Sequence, residues 1–208
     1  MKIDIDYAKK FYGNGAHGWD HIQRVYSNAL RIAENENCDL EIVMASALLH
    51  DIERYRDNED ITLDHAELGA QRAEKLLDDF NYNLNQKENI VYSIRVHRYS
   101  KGIIPKTIEA AILQDADRLD ALGATIISRL FYNAGKRKGI IHDPSIPPRA
   151  EYKGAADITT AINHFYEKIL KIKPETFNTV KGKELAYSRY EFTEKFLEQF
   201  LKEYNCEI

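Results

Sequence analysis

The sequence contains little cysteine and no long apolar run. Two of its 208 residues are cysteines, Cys38 and Cys206, and they form no CxxC pair. We therefore expect reduced thiols rather than a disulfide framework. No apolar stretch approaches the roughly 18–20 residues that span a bilayer. Residues 1–6 alternate apolar with charged side chains, unlike the apolar core of a secretory signal. These features predict a cytoplasmic protein without a membrane partner.

A large excess of positive charge is also missing. The chain carries 29 lysines and arginines against 33 acidic residues, a formal net charge of −4. Stable nucleic-acid binding depends on a basic face that releases counterions from the phosphate backbone, so we expect no nucleic-acid partner. A small phosphate compound is compatible with this charge, because one local group of cations or one metal ion can hold it.

Helical periodicity is the dominant pattern that is present. Apolar residues recur at spacings of three and four, without convincing strand-like alternation. A helix is expected from Asp39, its N-cap, to His50 and Asp51. Because it is apolar on most of its circumference, we expect it to be central and buried. Asn85, with Glu88 three residues on, resembles a capping box. Helices are expected at about 6–12, 20–35, 39–51, 63–80, 85–97, from 107 through 116, around 126–131, and at about 155–172 and 182–204.

The segment 133–153 interrupts this periodicity. It holds two glycines, three prolines and the basic run Lys136, Arg137 and Lys138. A stretch of this length without periodicity indicates a lid, a binding loop or disorder. The overall prediction is a single all-α domain over 1–208, with a core at about 17–125, this loop at about 133–153, and C-terminal helices at about 155–204.

The pair His50 and Asp51 stands at the end of the most apolar helix. A buried aspartate there costs several kcal/mol unless a cation or hydrogen-bond donors compensate it. A divalent metal ion would do so, since imidazole and carboxylate suit such ions. The alternative is that the pair marks the helix's emergence into solvent, with the histidine favourably placed at a helix C-terminus.

Two other segments favour the metal interpretation. His21 opens a helix and shares its core-facing side with Arg24 and Val25. Asp117 lies in a crowded run of carboxylates that also contains Asp115 and Asp120. Like charges at helical spacing repel each other, so this crowding indicates that cations offset it.

Three ordered motifs carry a resemblance to a known family. They are residues 17–25 (HGWDHIQRV), 47–52 (ALLHDI) and 114–124 (QDADRLDALGA), followed by 162–168 (INHFYEK) and 182–186 (GKELA). The order His, His-Asp, Asp resembles the HD superfamily of metal-dependent phosphohydrolases, and the longer motifs look like the bacterial HD hydrolases of the YedJ and YpgQ type. The resemblance covers about residues 17–204 and implies an HD-domain helical bundle with additional C-terminal helices.

The resemblance implies that His21, His50, Asp51 and Asp117 bind one divalent ion. Two histidines and two aspartates leave coordination positions open for water and substrate, as in a catalytic site. Mn²⁺ or Fe²⁺ is favoured, with Zn²⁺, Co²⁺, Ni²⁺ or Mg²⁺ as alternatives. Such an ion polarises a phosphoryl oxygen and lowers the pKa of its bound water.

Other residues near the motifs have several interpretations. His65 and His97 are expected to contact phosphate or support the ligands; the alternatives are a second metal site or a structural role. His17 is expected to contact substrate or a ligand. Basic residues near the motifs would complete an anion site, with Arg24 and Arg54 preferred: Arg24, Arg54, Arg56, Arg98, Lys101 and Arg118.

The acid or base in the reaction is less defined. Some HD hydrolases carry acidic residues three and four positions after the HD aspartate, where this chain has Arg54 and Tyr55. Glu53, Asp115 and Asp120 are the candidates.

The expected activity is hydrolysis of a nucleotide by a metal-activated water. We favour nucleoside triphosphate pyrophosphohydrolysis, which releases a monophosphate and pyrophosphate. The alternatives are phosphomonoesterase or cyclic-nucleotide phosphodiesterase activity, a metal-containing regulatory domain that binds a nucleotide without turning it over, and a helical interaction protein without metal. The partner is then a small phosphate substrate, and the protein itself a monomer or homodimer.

Overall fold

A computed structural model describes residues 1–14, 18–54, 64–150 and 159–208. All regular secondary structure in these ranges is helical, which confirms the all-α prediction. The helices are α1 Ile5–Lys9, α2 Trp19–Ala33, α3 Leu40–Leu49, α4 His65–Leu76, α5 Leu84–Val96, α6 Ile108–Leu119, α7 Ala124–Lys136, α8 Ala161–Glu167 and α9 Val180–Tyr204. Short 3₁₀ turns lie at Leu77–Asp79, Tyr99–Lys101, Ile169–Lys171 and Pro174–Thr176. No helix in the described ranges is long and apolar enough to cross a bilayer.

Side-chain caps set several helix starts. Asp39 accepts a hydrogen bond from the backbone N–H of Glu41, as predicted for the N-cap of α3. The capping box of α5 was expected at Asn85 but lies two residues earlier, between Asn83 and Gln86. The sequence offers the same spacing in both registers. Gln86 also donates to Asp39 at 2.9 Å, a tertiary contact that favours the observed register.

The chain forms two compact units, Met1–Arg118 and Leu119–Ile208. In the first unit α3 packs against α2 and α5, and α4 packs against α5. Leu48 and Leu49 of α3, Ile90 and Ile94 of α5, and Ala70 of α4 are almost fully buried in its core. Each large side chain of this kind contributes roughly 1.5–3 kcal/mol on burial. The central, buried position predicted for α3 is therefore observed.

The second unit contains α7, α8, α9 and an aromatic core. Rings of α7, α8 and α9 meet at centroid separations of 6.0 to 6.5 Å, namely Phe131, Phe165, Phe196 and Phe200. Helix α8 is shorter than predicted, because Lys168 leaves helical geometry with φ −137° and ψ −59°. The first part of the predicted helix, residues 155–158, lies outside the described residues.

The segment expected to be a lid, a binding loop or disorder is fastened to α8 over much of its length. Helix α7 extends into it as far as Lys136. Beyond that, the carbonyls of Ile140 and Ile141 accept from the backbone of Ala161 and Ile162 at 2.9 and 3.0 Å. Buried Glu167 accepts from the Arg149 backbone at 2.9 Å. Residues 140–149 thus contact α8 through several hydrogen bonds, and 151–153 lie outside the described residues.

Candidate metal centre

Helix ends of the first unit bring four histidines and two aspartates together. His21 is the third residue of α2, and His50 and Asp51 directly follow α3. His65 is the first residue of α4, and His97 is the C-cap of α5. Asp117 comes from the last part of α6. All four histidines are at most 1% exposed and Asp51 is 5% exposed, whereas the Asp117 side chain is 29% exposed.

The first group of donor atoms centres on the Nε2 atom of His21. It lies 3.4 Å from Nε2 of His50, 3.6 Å from Oδ2 of Asp51 and 3.5 Å from Oδ1 of Asp117. His50 Nε2 is 3.8 Å from Oδ2 of Asp51. The donor atoms of His21, His50 and Asp51 all lie within 4.8 Å of one another. Asp117 reaches this group from its partly exposed side.

The backbone orients two of the histidines. Nδ1 of His50 lies 2.9 Å from the Ala47 carbonyl, and Nδ1 of His97 lies 2.7 Å from the Ile94 carbonyl. A carbonyl only accepts, so each Nδ1 carries the proton. The Nε2 atoms of both rings are thereby directed into the cluster, which is how metal-binding histidines are commonly oriented.

Burial lowers the pKa of His50 to about 4, even though Asp51 acts in the opposite direction. His50 is therefore neutral near pH 7, with its Nε2 lone pair available. Neutral imidazole and ionised carboxylate are the forms that bind metal ions.

The donor spacing fits one divalent ion. Two atoms that each lie about 2.1 Å from an ion, at a tetrahedral angle, are about 3.4 Å apart. The separations of 3.4, 3.6 and 3.8 Å within His21, His50 and Asp51 lie close to that value. Imidazole and carboxylate together suit Mn²⁺, Fe²⁺, Co²⁺, Ni²⁺ or Zn²⁺. Both the chemistry and the spacing of these donors thus accommodate a metal ion.

A second group shares Asp51 with the first. Oδ1 of Asp51 lies 3.5 Å from Nε2 of His65 and 3.5 Å from Nε2 of His97. Arg54 approaches the same edge, with Nη1 2.8 Å from both ring nitrogens of His65. Burial, reinforced by Arg54, lowers the pKa of His65 to about 2. Burial alone would lower the pKa of His97, but its hydrogen bond to Asp51 and the charge of Asp51 raise it.

Each candidate acid or base is paired with an arginine. Buried Glu53 accepts from Arg72. Fully buried Asp115 lies 3.7 Å from Nη1 of Arg118, whose guanidinium also stacks on Tyr99 at 3.8 Å.

Asp120, in the second unit, accepts from Nη1 of Arg129 at 2.8 Å. The carboxylate crowding in residues 115–120 is therefore offset in part by Arg118 and Arg129.

The remaining predicted site residues have separate positions. Arg24 pairs with Asp20 one helical turn away at 2.9 Å. Arg118 is 3% exposed and forms an ion pair with Asp115. His17 and Arg56 lie outside the described residues.

Sequence reasoning missed the partners Arg72 and Arg129, and also Asp64. Asp64 caps α4 immediately before His65 and pairs with Arg98 and Lys101. The pattern of an aspartate before a helical segment could have identified the cap. No spacing in the sequence indicated that Asp64 pairs with Arg98 and Lys101.

Comparison with known proteins identifies the family of this chain. A model of the HD domain family matches residues 18–122. The uncharacterized protein YpgQ of Bacillus subtilis is 32% identical over 195 residues, covering 91% of this chain and 85% of YpgQ. An HD-superfamily hydrolase from Bacillus thuringiensis is similar in structure, with a TM-score of 0.75, 32% identity, and coverage of 97% of this chain and 94% of that one.

YpgQ is also similar as a solved structure. Its crystal structure in complex with ADP has a TM-score of 0.69 and 30% identity, over 96% of this chain and 97% of that one.

The fold and the His-Asp cluster thus define a metal-dependent phosphohydrolase. The chain belongs to the HD domain family, whose members bind a divalent metal ion, as the resemblance predicted.

Proposed function

We propose that this protein is a nucleoside triphosphate pyrophosphohydrolase whose single divalent ion is held by His21, His50, Asp51 and Asp117. The observation that carries the proposal is that donor atoms of His50, Asp51 and Asp117 lie 3.4 to 3.6 Å from Nε2 of His21. Mn²⁺ or Fe²⁺ is the proposed ion.

A nucleotide substrate is supported by the similarity to YpgQ. That protein has been crystallised with ADP, and it matches this chain over 96% of its length. We extend nucleotide binding from YpgQ to this chain on that similarity.

An ion held by these residues would polarise a phosphoryl oxygen and lower the pKa of its bound water. The chain's own residues supply the geometry. His50 stays neutral because it is buried, and its Nδ1–H bond to Ala47 keeps Nε2 aimed at the site. Asp117 is the exposed member of the group, so substrate approaches on its side.

In the reaction, the water oxygen bonds to the α-phosphorus while the bond from that phosphorus to the α–β bridging oxygen breaks. The water oxygen stays on the nucleoside monophosphate, one of its protons goes to the departing pyrophosphate, and the other goes to solvent. In this proposal Arg54 and the neighbouring His65 contact phosphate oxygens, since a guanidinium binds phosphate with charge-assisted hydrogen bonds. Glu53 and Asp115, each held by an arginine, are better suited to fix Arg72 and Arg118 than to carry a proton.

One ion is favoured over two by the position of Arg54. Its Nη1 lies 2.8 Å from His65 Nε2, so its positive charge faces the edge through which His65 would bind a second cation. The expected metal content after loading and desalting is one ion per chain. Two ions per chain, falling to one in His65→Ala, would instead show a dinuclear centre.

The activity is tested by incubating the Mn²⁺- or Fe²⁺-loaded protein with nucleoside triphosphates and resolving the products by ³¹P NMR. We expect pyrophosphate and monophosphate in equal amounts, and no turnover in His50→Ala. Inorganic phosphate without pyrophosphate would contradict the proposal and favour a phosphomonoesterase. Turnover of cyclic nucleotides alone would favour a phosphodiesterase, and retention of intact nucleotide would favour a regulatory role. Loading with Zn²⁺, Co²⁺, Ni²⁺ or Mg²⁺ tests the choice of metal.

A further inference from the structure

We infer that Arg98 and Lys101, positioned by Asp64 and assisted by Arg54, bind the β- and γ-phosphates of the substrate. These four residues are called the cationic cradle below. The inference rests on the proposed function, because it assigns a place to the pyrophosphate that this reaction would release. It adds specificity-determining residues that lie outside the metal-binding group.

Asp64 holds both cations of the cradle at once. Its Oδ1 accepts from Arg98 Nη1 at 3.0 Å, and its Oδ2 pairs with the Lys101 ammonium group. Oδ1 also accepts from the backbone N–H of Ala66 at 3.2 Å, as the cap of α4. With donors on three sides, the carboxylate has a defined orientation. The two cations are therefore positioned before any ligand arrives, which reduces the entropy lost on binding.

A tight turn keeps Arg98 and Lys101 together. The Lys101 N–H donates to the Arg98 carbonyl at 3.1 Å, and the Gly102 N–H donates to the Tyr99 carbonyl at 2.9 Å. Gly102 closes the turn with a φ of +64°, which glycine adopts without a steric penalty. Between the two cations, Tyr99 lies under the buried guanidinium of Arg118. The turn is thus fastened to the core of the unit while its cations face outward.

Two residues of the cradle are sequence neighbours of histidines in the candidate metal centre, one at the start of α4 and one after α5. Asp64 precedes His65, and Arg98 follows His97. Nε2 of each of these histidines lies 3.5 Å from Oδ1 of Asp51. Consecutive Cα atoms are about 3.8 Å apart, so the backbone of Asp64 and of Arg98 borders the group that contains Asp51. A phosphate chain anchored at the metal centre can continue into it.

The charge of the cradle suits a polyanion. Arg54, Arg98 and Lys101 contribute three positive charges, and Asp64 contributes one negative charge. A single cation would be enough to pair with the Asp64 carboxylate. The side chains of Arg98 and Lys101 are 27% and 39% exposed, so a ligand can reach them. Arginine offers a planar fork and lysine a compact charge, and both bind phosphate oxygens.

Binding of a nucleotide that cannot be cleaved tests the inference separately from turnover. In excess Mn²⁺, calorimetry would compare α,β-methylene ATP with AMP on the wild-type protein and on the double variant Arg98→Gln/Lys101→Gln. We expect the dissociation constant of the analogue to rise at least about tenfold in the double variant, since each lost contact is charge-assisted. The dissociation constant of AMP, which lacks the β- and γ-phosphates, should change less than about twofold.

Lys106→Gln is the control for general electrostatics: it removes one positive charge, half the change in the double variant, from the same connection between α5 and α6. It should leave the affinity for the analogue unchanged. Equal analogue affinity in the wild-type protein and the double variant would overturn the inference. Equal weakening by Lys106→Gln would also overturn it, because the effect would then be general electrostatics. Parallel loss of AMP affinity would overturn it as well.

The two proposals can fail independently. Release of inorganic phosphate alone from a triphosphate would overturn the pyrophosphohydrolase proposal, while analogue binding would still report on the cradle. If only the cradle is wrong, pyrophosphate is released and the KM of the double variant stays at the wild-type value. If both proposals are correct, KM rises at least about tenfold and kcat falls as well, because the cradle holds the pyrophosphate leaving group, on which negative charge grows as the bond from the α-phosphorus breaks.

Discussion

Helix α6 carries two aspartates, and replacing each with asparagine should affect a different property, metal binding in one case and stability in the other. Asp117→Asn and Asp115→Asn each remove one negative charge from α6, two positions apart. Asp117 lies 3.5 Å from His21 and is 29% exposed, whereas Asp115 is fully buried beside Arg118. We expect Asp117→Asn to empty the metal site at little cost in stability. Asp115→Asn should destabilise the protein and leave the site able to bind metal.

The magnitudes follow from burial. Asp115→Asn leaves the guanidinium of Arg118, which is 3% exposed, without a full counter-charge. Breaking a buried pair in this way costs about 3–5 kcal/mol, and the stacking on Tyr99 favours the lower end. Asp117→Asn removes a partly exposed charge, whose contribution to stability is less than about 1 kcal/mol. Loss of an anionic ligand should weaken metal binding on the order of 100-fold or more, beyond the effect of supporting residues.

Stability is measured by urea unfolding of the metal-free variants, and metal binding by titration with Mn²⁺ under conditions where each variant is folded. The reasoning is refuted if both variants lose metal affinity to the same extent. It is equally refuted if Asp115→Asn is as stable as the wild-type protein, since the Asp115–Arg118 pair would then contribute nothing.

Three further predictions concern positions outside the ligand set. Burial, assisted by nearby Lys168 and Arg137, lowers the pKa of His164 to about 4 from 6.5, so its neutral form is favoured in the folded state. The contribution of neutral His164 to the unfolding free energy is complete above pH 6.5 and is lost as the pH falls toward 4, by about 2 kcal/mol at pH 5. Between pH 7.5 and 5, the unfolding free energy of His164→Gln in urea should therefore fall by about 2 kcal/mol less than that of the wild-type protein. A Cβ on Gly69 would meet the His50 carbonyl at 3.4 Å, so Gly69→Ala should keep or raise the melting temperature. Gly69→Val should push on that carbonyl and reduce Mn²⁺ binding in a titration. Gly123→Ala should cost at least about 1–2 kcal/mol in urea unfolding, because φ there is +80°. Wild-type unfolding free energy in Gly123→Ala, or wild-type Mn²⁺ affinity in Gly69→Val, would contradict these expectations.

Local patterns were sufficient to predict the helices of this protein and the most buried of them. Helical periodicity and N-caps act over one or two turns, and Asp39 at the start of α3 was predicted from its immediate neighbours. The family and its metal dependence were also predictable, because three short motifs carry the resemblance. The error at Asn85 arose where two local registers have the same spacing, and a distant contact from Gln86 to Asp39 favours the other one.

The sequence by itself determined that the chain is all-α, that α3 is central, and that His21, His50, Asp51 and Asp117 are candidates for one site. Only the tertiary structure decided what surrounds them. Arg72 lies 19 positions from Glu53, and Arg98 lies 34 positions from Asp64. Ion pairs at such separations depend on how helices pack, since no local rule links residues so far apart. For the same reason the structure alone showed that Glu53 and Asp115 pair with arginines, and that two cations pair with Asp64 next to His65.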